Sequence, residues 1–267
     1  MKLAIYNEYT RNQLHAAGKK AYAEGLHKEI ASIFDGSKDV EVKFLSTLKD
    51  LLEHTANDIT AETLADVDVL IWWGHCDHDK VPDEVVDAVI KRVHEGMGII
   101  FLHSAHFSKV IKKLLGTPCS LTWRECGEAE RIWTADVDHP ISQGVEQGFR
   151  LPHEEMYGEH FNIPKPDDVV FIGWYQGGDV FRSGVTFTRG EGRVFYFQPG
   201  HETFPTYKNA NIRKIINNAV LWCGKQEDKI AKVNKKYKDA PNVRPCEQVH
   251  KLFHHVGKVH HGKEVDE

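Results

Sequence analysis

The stretch Val69-Leu70-Ile71-Trp72-Trp73 is a continuous run of apolar residues, and it decides the fold class. Such a run, without polar alternation, is typical of a parallel strand that is covered on both faces. A second apolar run, Ile99 to Leu102, comes after a segment that begins at Pro82 and has apolar residues at helical spacing. Strand, helix and strand in this order predict an α/β protein with a parallel sheet and helices on both faces.

Further segments extend this pattern in both directions. A helix is expected over 16–34, where Asp35-Gly36-Ser37 ends it, and a closing helix over 209–223. The remaining apolar or alternating segments are predicted strands, namely Leu3 to Tyr6, Val40 to Phe44, Val169 to Trp174, Val180 to Thr188 and Arg193 to Gln198.

The composition limits the class of protein. The 267 residues are 41% hydrophobic and 27% charged, which is typical of a globular chain. The formal net charge of -5 argues against a nucleic-acid partner, since no broad basic surface is available. No window approaches the roughly 18 apolar residues of a membrane span, and no signal peptide is evident, so a cytoplasmic protein without a membrane partner is expected.

Residues 1–224 are predicted to form one domain, and 225–267 a helical and extended tail. The end of the tail carries His254, His255, His260 and His261 among lysines, which favours a surface segment, and a homo-oligomer is expected from it. The five cysteines form no CxxC pair, so their spacing suits neither a disulfide framework nor a cysteine-based zinc module.

Histidines recur at the predicted carboxyl ends of strands, where ligands bind in open parallel sheets. There are 17 histidines in the chain, and a few of them stand next to small or acidic residues in such places. The four segments concerned are Trp73-Gly74-His75, His103 to His106, His153 to Tyr157 in a loop-like stretch, and Gly200-His201-Glu202. Their convergence predicts one polar site.

The candidate residues fall into three groups. The predicted catalytic residues are His103, Glu155, His201 and Glu202. The predicted metal ligands are His75, His103, His153 and His201. Tyr157 and Arg182 are expected to orient substrate hydroxyls, and Trp73 to offer an aromatic face of the kind on which sugars stack.

Three kinds of chemistry suit these residues. They could hold a divalent metal such as Zn²⁺ or Mn²⁺, do acid–base work without a metal, or bind a polyol without catalysis. An HExxH motif is missing, so a metalloprotease is not indicated. No G-x-G-x-x-G follows the first strand, and no dinucleotide cofactor is expected.

Four motifs in register resemble the ThuA-like (trehalose utilisation) family over roughly residues 1–224. They are Gly98 to Ala105, His139-Pro140-Ile141, Glu154 to Tyr157, and Gly192 to Tyr196 leading to Gly200-His201-Glu202, with Trp123-Arg124-Glu125 typical of its bacterial branch. The resemblance implies a flavodoxin-like fold similar to class I glutamine amidotransferases. Those enzymes have a nucleophilic cysteine where this chain has His103 or Ser104, which argues against amidotransferase activity.

The resemblance also implies a role in the use of trehalose or a related disaccharide. Our leading hypothesis is an isomerase- or lyase-like enzyme that acts on a keto-glycoside, because a ketone acidifies the neighbouring C–H bond. The alternative is a non-catalytic sugar-binding or regulatory protein on the same scaffold. A hydrolase that uses Cys76 is a third, less favoured hypothesis.

Overall fold

Nine strands form one sheet in the computed structural model, which describes residues 1–8, 11–45 and 58–232. Their order across the sheet is β2-β1-β3-β4-β9-β8-β7-β5-β6. The strands are β1 (Lys2–Asn7), β2 (Glu41–Phe44), β3 (Val69–Trp73), β4 (Gly98–Leu102), β5 (Thr122–Thr134), β6 (Gly148–Gly158), β7 (Asp168–Tyr175), β8 (Val180–Arg189) and β9 (Gly192–Phe197).

The predicted parallel sheet is confirmed for five of these strands. β2, β1, β3, β4 and β9 are parallel neighbours, with Trp72 opposite Phe101 in the register of β3 and β4. β8, β7, β5 and β6 continue the sheet in antiparallel pairs. The sheet is therefore mixed, and its parallel half has the arrangement expected of the flavodoxin-like class.

The hairpin of β5 and β6 corrects the prediction of a loop over His153 to Tyr157. These residues lie inside β6. Pro152 suggested a break, because proline cannot donate a ladder hydrogen bond. However, β6 is the outermost strand of the sheet and pairs with β5 alone in the described residues, and an edge strand tolerates proline.

Helices cover both faces of the sheet, as predicted. Ile99 of β4 packs on one side in a core that includes Val89, whereas Ile100 packs on the other side in a core that includes Ile216. Alternate residues of a buried strand point to opposite faces, so the continuous apolar run supplies both cores. The helices are α1 (Arg11–Leu14), α2 (Ala16–Ala21), α3 (Leu26–Ala31), α4 (Ala61–Leu64), α5 (Asp83–His94), α6 (Lys109–Leu115) and α7 (Ala210–Cys223).

The single helix predicted over 16–34 is instead two helices and a short 3-10 turn, Ser32–Phe34. Gly25 separates α2 from α3 with φ of 94°, a conformation that an α-helix cannot contain. The closing helix is confirmed as α7, and its N-terminus is capped by the Asn209 side chain, which accepts from two backbone N–H groups.

The described residues belong to one compact unit, Met1–Lys232. Most of the predicted tail, including His254, His255, His260 and His261, lies outside the described residues, so its structure stays a prediction. Within the described ranges, no helix has both the length and the apolar character needed to cross a bilayer.

Candidate functional site

The candidate site lies at the carboxyl ends of β3, β4 and β9. His75 follows β3 by two residues, and His103 comes directly after β4 at the start of a 3-10 helix, His103–Phe107. His201 follows β9, while Glu155 comes from the buried second half of β6. Since β3, β4 and β9 are parallel neighbours, their ends bring the three histidines to the same edge of the sheet.

His75, His103, Glu155 and His201 form a group that could hold a metal ion; we call it the His/Glu cluster. Each residue offers one ligand atom, and these four atoms lie within 4.8 Å of one another. The ring centroids of His75 and His103 are both 5.3 Å from that of His201. His103, Glu155 and His201 are buried, and His75 is partly exposed, so the cluster has one side open to solvent.

Each histidine of the cluster has a partner at Nδ1. The Nδ1 atom of His75 lies 3.0 Å from Glu202, that of His103 lies 3.0 Å from the carbonyl of Gln198, and that of His201 lies 2.8 Å from the Thr203 hydroxyl. This leaves Nε2 of each ring for other partners. His103 matches the arrangement of metal-binding histidines, whose second nitrogen donates to a carboxylate or carbonyl. Nδ1 of His201 differs, because it also lies 3.3 Å from the Thr203 backbone N–H, which donates to it.

His103 and Glu155 meet in a way that requires a cation or a proton between them. The Gln198 carbonyl accepts only, so Nδ1 of His103 carries the hydrogen, and a neutral ring has its lone pair on Nε2. This Nε2 lies 2.9 Å from Oε2 of Glu155. Neither atom has another hydrogen-bond partner, and both are buried. Two facing acceptors repel, and a proton or a metal ion removes the conflict.

The charges of the cluster suit metal binding. Burial lowers the pKa of His201 to about 4, against a smaller raising effect of Glu202, so its ring is neutral at pH 7. Burial alone would raise the pKa of Glu155, but the nearby rings of His103, His201 and His75 together lower it, which keeps this group a carboxylate. Neutral imidazoles and an ionised carboxylate are the forms that coordinate metals.

Glu202 belongs to the site as the partner of His75. Burial would raise the pKa of Glu202, but the hydrogen bond from His75 and the charges of His75, His201 and His103 together lower the pKa to about 2. Burial in turn would lower the pKa of His75, whereas Cys76 and Glu202 raise it to about 11. The two groups form a buried ion pair when no metal competes. This contact places Glu202 where it holds the ring of His75, and the predicted catalytic role of Glu202 stays a prediction.

The backbone of His103 occupies an unusual conformation. Its φ is 54°, in the left-handed region that residues with a side chain rarely adopt and that costs roughly 1–2 kcal/mol. Strained turns at strand ends are a feature of catalytic nucleophiles, which they present to a site. Here the same kind of turn presents an imidazole, and the Ser104 hydroxyl beside it donates to the carbonyl of Gly74.

Glu154, which was not among the predicted site residues, fixes the loop that carries His201. Its buried carboxylate accepts hydrogen bonds from the backbone N–H groups of Gly200 and His201 and from the Thr206 hydroxyl. Gly200 has φ of 136°, and a Cβ there would come within 2.0 Å of the Tyr207 hydroxyl oxygen. Glycine at this position thus allows the close approach to Tyr207, and it lets the loop turn into the site.

Glu8, also not predicted, fixes the loop that carries His75. It follows β1 and is buried, and its oxygens accept from the backbone N–H groups of His75, Cys76 and Asp77 at 2.7–2.8 Å. The sequence signal was its place at the carboxyl end of β1, next to β3 in the sheet. Three backbone N–H groups thus donate to one carboxylate, and these charge-assisted hydrogen bonds fix the conformation of the loop after Trp73.

Tyr157 and Trp73 pack against His103 and do not present free faces. The ring of Tyr157 is stacked on that of His103 at 5.2 Å, and the indole of Trp73 is near-parallel to it at 6.5 Å. Both aromatic residues are buried, and Trp73 donates from Nε1 to the Gly200 carbonyl. Since a buried ring cannot stack on a sugar, the structure does not provide the aromatic face expected of Trp73, whereas the hydroxyl-orienting role expected of Tyr157 stays a prediction.

Arg182 and His153 are not brought to the cluster. The Arg182 guanidinium is engaged by both oxygens of Glu159 and by the Phe161 carbonyl. His153 is exposed, its Nδ1 lies 2.9 Å from the Gly127 carbonyl, and its ring packs against Phe204. The structure thus brings Glu155 rather than His153 to the cluster as the fourth potential ligand: His153 lies in the exposed part of β6, where the register with β5 shifts, and Glu155 lies in the buried second half of the strand.

Glu125 is a further carboxylate at the site, at the exposed start of β5. Its Oε1 lies 3.6 Å from Nε2 of His201, and 57% of its side chain is exposed. It therefore reaches from solvent to the cluster, whereas Glu155 and Glu202 are buried. In the sequence this residue stood out only as part of a family motif, with no predicted role.

Comparison with solved structures supports the fold. A ThuA-like protein from Parabacteroides merdae is 15% identical, with a TM-score of 0.59 over 92% of this chain and 94% of that one. A cytoplasmic protein from Salmonella typhimurium is also 15% identical, with a TM-score of 0.54 over 87% of this chain and 100% of its own. A GMP synthase component from Thermoplasma acidophilum, 15% identical, has a TM-score of 0.50 over 85% of this chain and 96% of its own.

These likenesses show the mixed α/β fold shared by ThuA-like proteins and glutamine-amidotransferase-like proteins. A search of curated proteins gave no match. The model of the ThuA family, described as trehalose utilisation, matches residues 9–223, which include all four members of the His/Glu cluster. The chain therefore belongs to the ThuA (trehalose utilisation) family.

Proposed function

We propose that this protein is a metal-assisted enzyme of carbohydrate utilisation that moves a proton on the carbon next to the ketone of a keto-glycoside. The observation that carries the proposal is the His/Glu cluster, with three Nδ1-anchored histidines and a buried carboxylate around one point. Membership of a trehalose utilisation family supports the sugar as substrate class. A cytoplasmic location and a homo-oligomeric state are part of the same proposal.

The donor set suits a borderline divalent ion. Imidazole and carboxylate ligands together are typical of Zn²⁺ and Mn²⁺. When bound, such an ion polarises the ketone oxygen and stabilises the negative charge that develops there on loss of the neighbouring proton.

The residues around the cluster have distinct tasks in this proposal. His75, His103, Glu155 and His201 hold the ion, while Glu202 and the Gln198 carbonyl fix two of the rings. The proton from the substrate carbon needs an acceptor that is not committed to another partner. Glu125 fits, because its carboxylate is close to His201 and still reaches solvent, which lets it exchange the proton with water.

The test is deuterium exchange followed by NMR. The protein loaded with Zn²⁺ or Mn²⁺ is expected to exchange the C–H next to the ketone of 3-keto-trehalose in D₂O, whether or not a net product forms. The His201→Ala variant should lose this exchange while keeping its circular dichroism spectrum, and a chelator should abolish it reversibly. Loaded protein that exchanges no proton on a panel of keto-disaccharides contradicts the proposal, and sugar binding without exchange would indicate a binding protein.

A further inference from the structure

The start of β5 carries a second exposed feature beside Glu125. Trp123 is 58% exposed, in contrast to Trp72 and Trp73, which are buried. Its neighbour Arg124 is held by Glu128 and Asp179, so the strand backbone is anchored at this point while the indole stays free of hydrogen-bond partners among the described residues.

Two observations place Trp123 on the side of the cluster. Trp123 is directly opposite Tyr157 in the register of β5 and β6, and directly paired residues in antiparallel strands have their side chains on the same face. Tyr157 packs on His103. In addition, Trp123 is only two residues from Glu125, whose Oε1 lies 3.6 Å from Nε2 of His201. The register of β5 and β6 shifts between Arg124 and Glu128, so it is this closeness along the chain that places Trp123 near the cluster.

The spacing matches a substrate with two sugar rings. Two residues of a strand span about 7 Å, so the indole begins about one pyranose ring away from the carboxylate that faces His201. An exposed indole offers a flat apolar surface for the C–H face of a sugar ring, and its polar edge can stay in water. A monosaccharide held at the cluster would leave this surface uncovered.

We infer that Trp123 forms a subsite for the second ring of a disaccharide, so that the protein prefers glycosides of another sugar over simple alkyl glycosides. The inference rests on the proposed function for the position of the first ring. It adds to the proposed function how the protein recognises the second sugar ring, which does not react.

The experiment is calorimetric titration of the metal-loaded protein with trehalose and with methyl α-glucoside. Neither probe contains the ketone, so binding is measured without turnover. Wild-type protein should bind trehalose more tightly, and Trp123→Ala should lower the affinity for trehalose roughly tenfold, since stacking buries apolar surface on both partners. The affinity for methyl α-glucoside should not change.

Trp174→Ala is the matched control. Trp174 is 53% exposed in β7, opposite Arg131 and Val180, and makes no ring contact with the cluster in the described residues. The Trp174→Ala variant should bind both probes as the wild type does.

If wild type and Trp123→Ala bind trehalose equally, the subsite is refuted and the proposed reaction is untouched. If Trp123→Ala loses trehalose but the wild type exchanges no proton, the subsite stands and the proposed reaction falls. If the wild type binds neither probe, the subsite is refuted as well.

Discussion

The Nδ1 atom of His75 and Oε1 of Glu202 are 3.0 Å apart, and the Glu202 side chain is fully buried. Glu202 comes from the loop after β9 and His75 from the loop after β3, so this contact joins two loops that the sheet places two strands apart. It also fixes which nitrogen of His75 faces the cluster. A carboxylate behind a histidine in this way raises the basicity of the ring as a metal ligand.

Glu202→Gln should therefore weaken metal binding without removing a ligand. We expect a loss of affinity of about 10–100-fold, the usual effect of removing a carboxylate behind a metal-binding histidine. Calorimetric titration of the metal-free protein with Zn²⁺ measures it. Glu95→Gln, at the exposed end of α5, is the control and should titrate as the wild type does. Equal affinities for Glu202→Gln and wild type would argue against His75 as a ligand.

His103→Asn should remove metal binding altogether. Asparagine is chosen because it tolerates positive φ better than alanine, so the strained turn at this position is kept. Metal content per chain after dialysis, by elemental analysis, should fall from about one ion to background. His153→Asn should keep its ion, since His153 is exposed outside the cluster. Loss of the ion from both variants would support the ligand set first expected from the sequence, and retention of the ion by His103→Asn would refute His103 as a ligand.

Glu8→Gln should destabilise the fold and the site together. An amide cannot accept three backbone N–H groups through both of its ends, so at least one of the donors at His75, Cys76 and Asp77 loses its partner. A buried donor without a partner costs about 1–3 kcal/mol of unfolding free energy, measurable by urea denaturation. Zn²⁺ affinity should fall as well. Glu41→Gln, exposed in β2, should change stability by less than about 0.5 kcal/mol.

His106→Gln should change the pH dependence of stability. Burial lowers the pKa of His106 to about 3, although its hydrogen bond to the Cys119 carbonyl opposes this. The unfolded chain takes up this proton near pH 6.5 and the folded protein does not. The stability due to the neutral ring is therefore complete above pH 6.5 and is lost as the pH falls towards 3.

Relative to wild type, His106→Gln should gain roughly 2 kcal/mol of unfolding free energy between pH 7.5 and pH 5. The comparison with wild type matters because Glu130 acts in the opposite direction: burial raises its pKa, so the folded state keeps its proton. Urea denaturation at both pH values gives the difference in unfolding free energy between His106→Gln and wild type at each pH. His94→Gln, exposed in α5, should differ from wild type by the same amount at both, and a constant difference for His106→Gln would refute the assignment.

The parallel half of the sheet was predictable because its strands are continuous apolar runs that need no partner to be recognised. β5 and β6 were missed, since β5 begins with the exposed residues 122–126 and β6 contains Pro152. Their strand structure depends on pairing with each other, a contact between distant segments. The break between α2 and α3 depended on the backbone of one glycine, Gly25.

The histidines of the site were predictable from their place after strands, and so was Glu155. Glu8 and Glu154 were not predictable, because they accept hydrogen bonds from backbone N–H groups of loops that are distant in the sequence. His75 is 67 residues from Glu8, and Gly200 is 46 residues from Glu154. Nothing in local spacing reveals such a contact. For the same reason Arg182 and Trp73 were assigned to the substrate, although one is engaged by Glu159 and the other is buried.

The four ligand residues lie on separate segments, from His75 to His201, and meet only when β3, β4, β6 and β9 are in place. An unfolded chain cannot bring these atoms together without a large loss of conformational entropy, so the ion binds the native state almost exclusively. An ion held by the cluster would therefore stabilise the fold: at 100 times the dissociation constant, free ion would add about 2.7 kcal/mol to the unfolding free energy. A cell that withdraws the ion would expose the chain to its proteases.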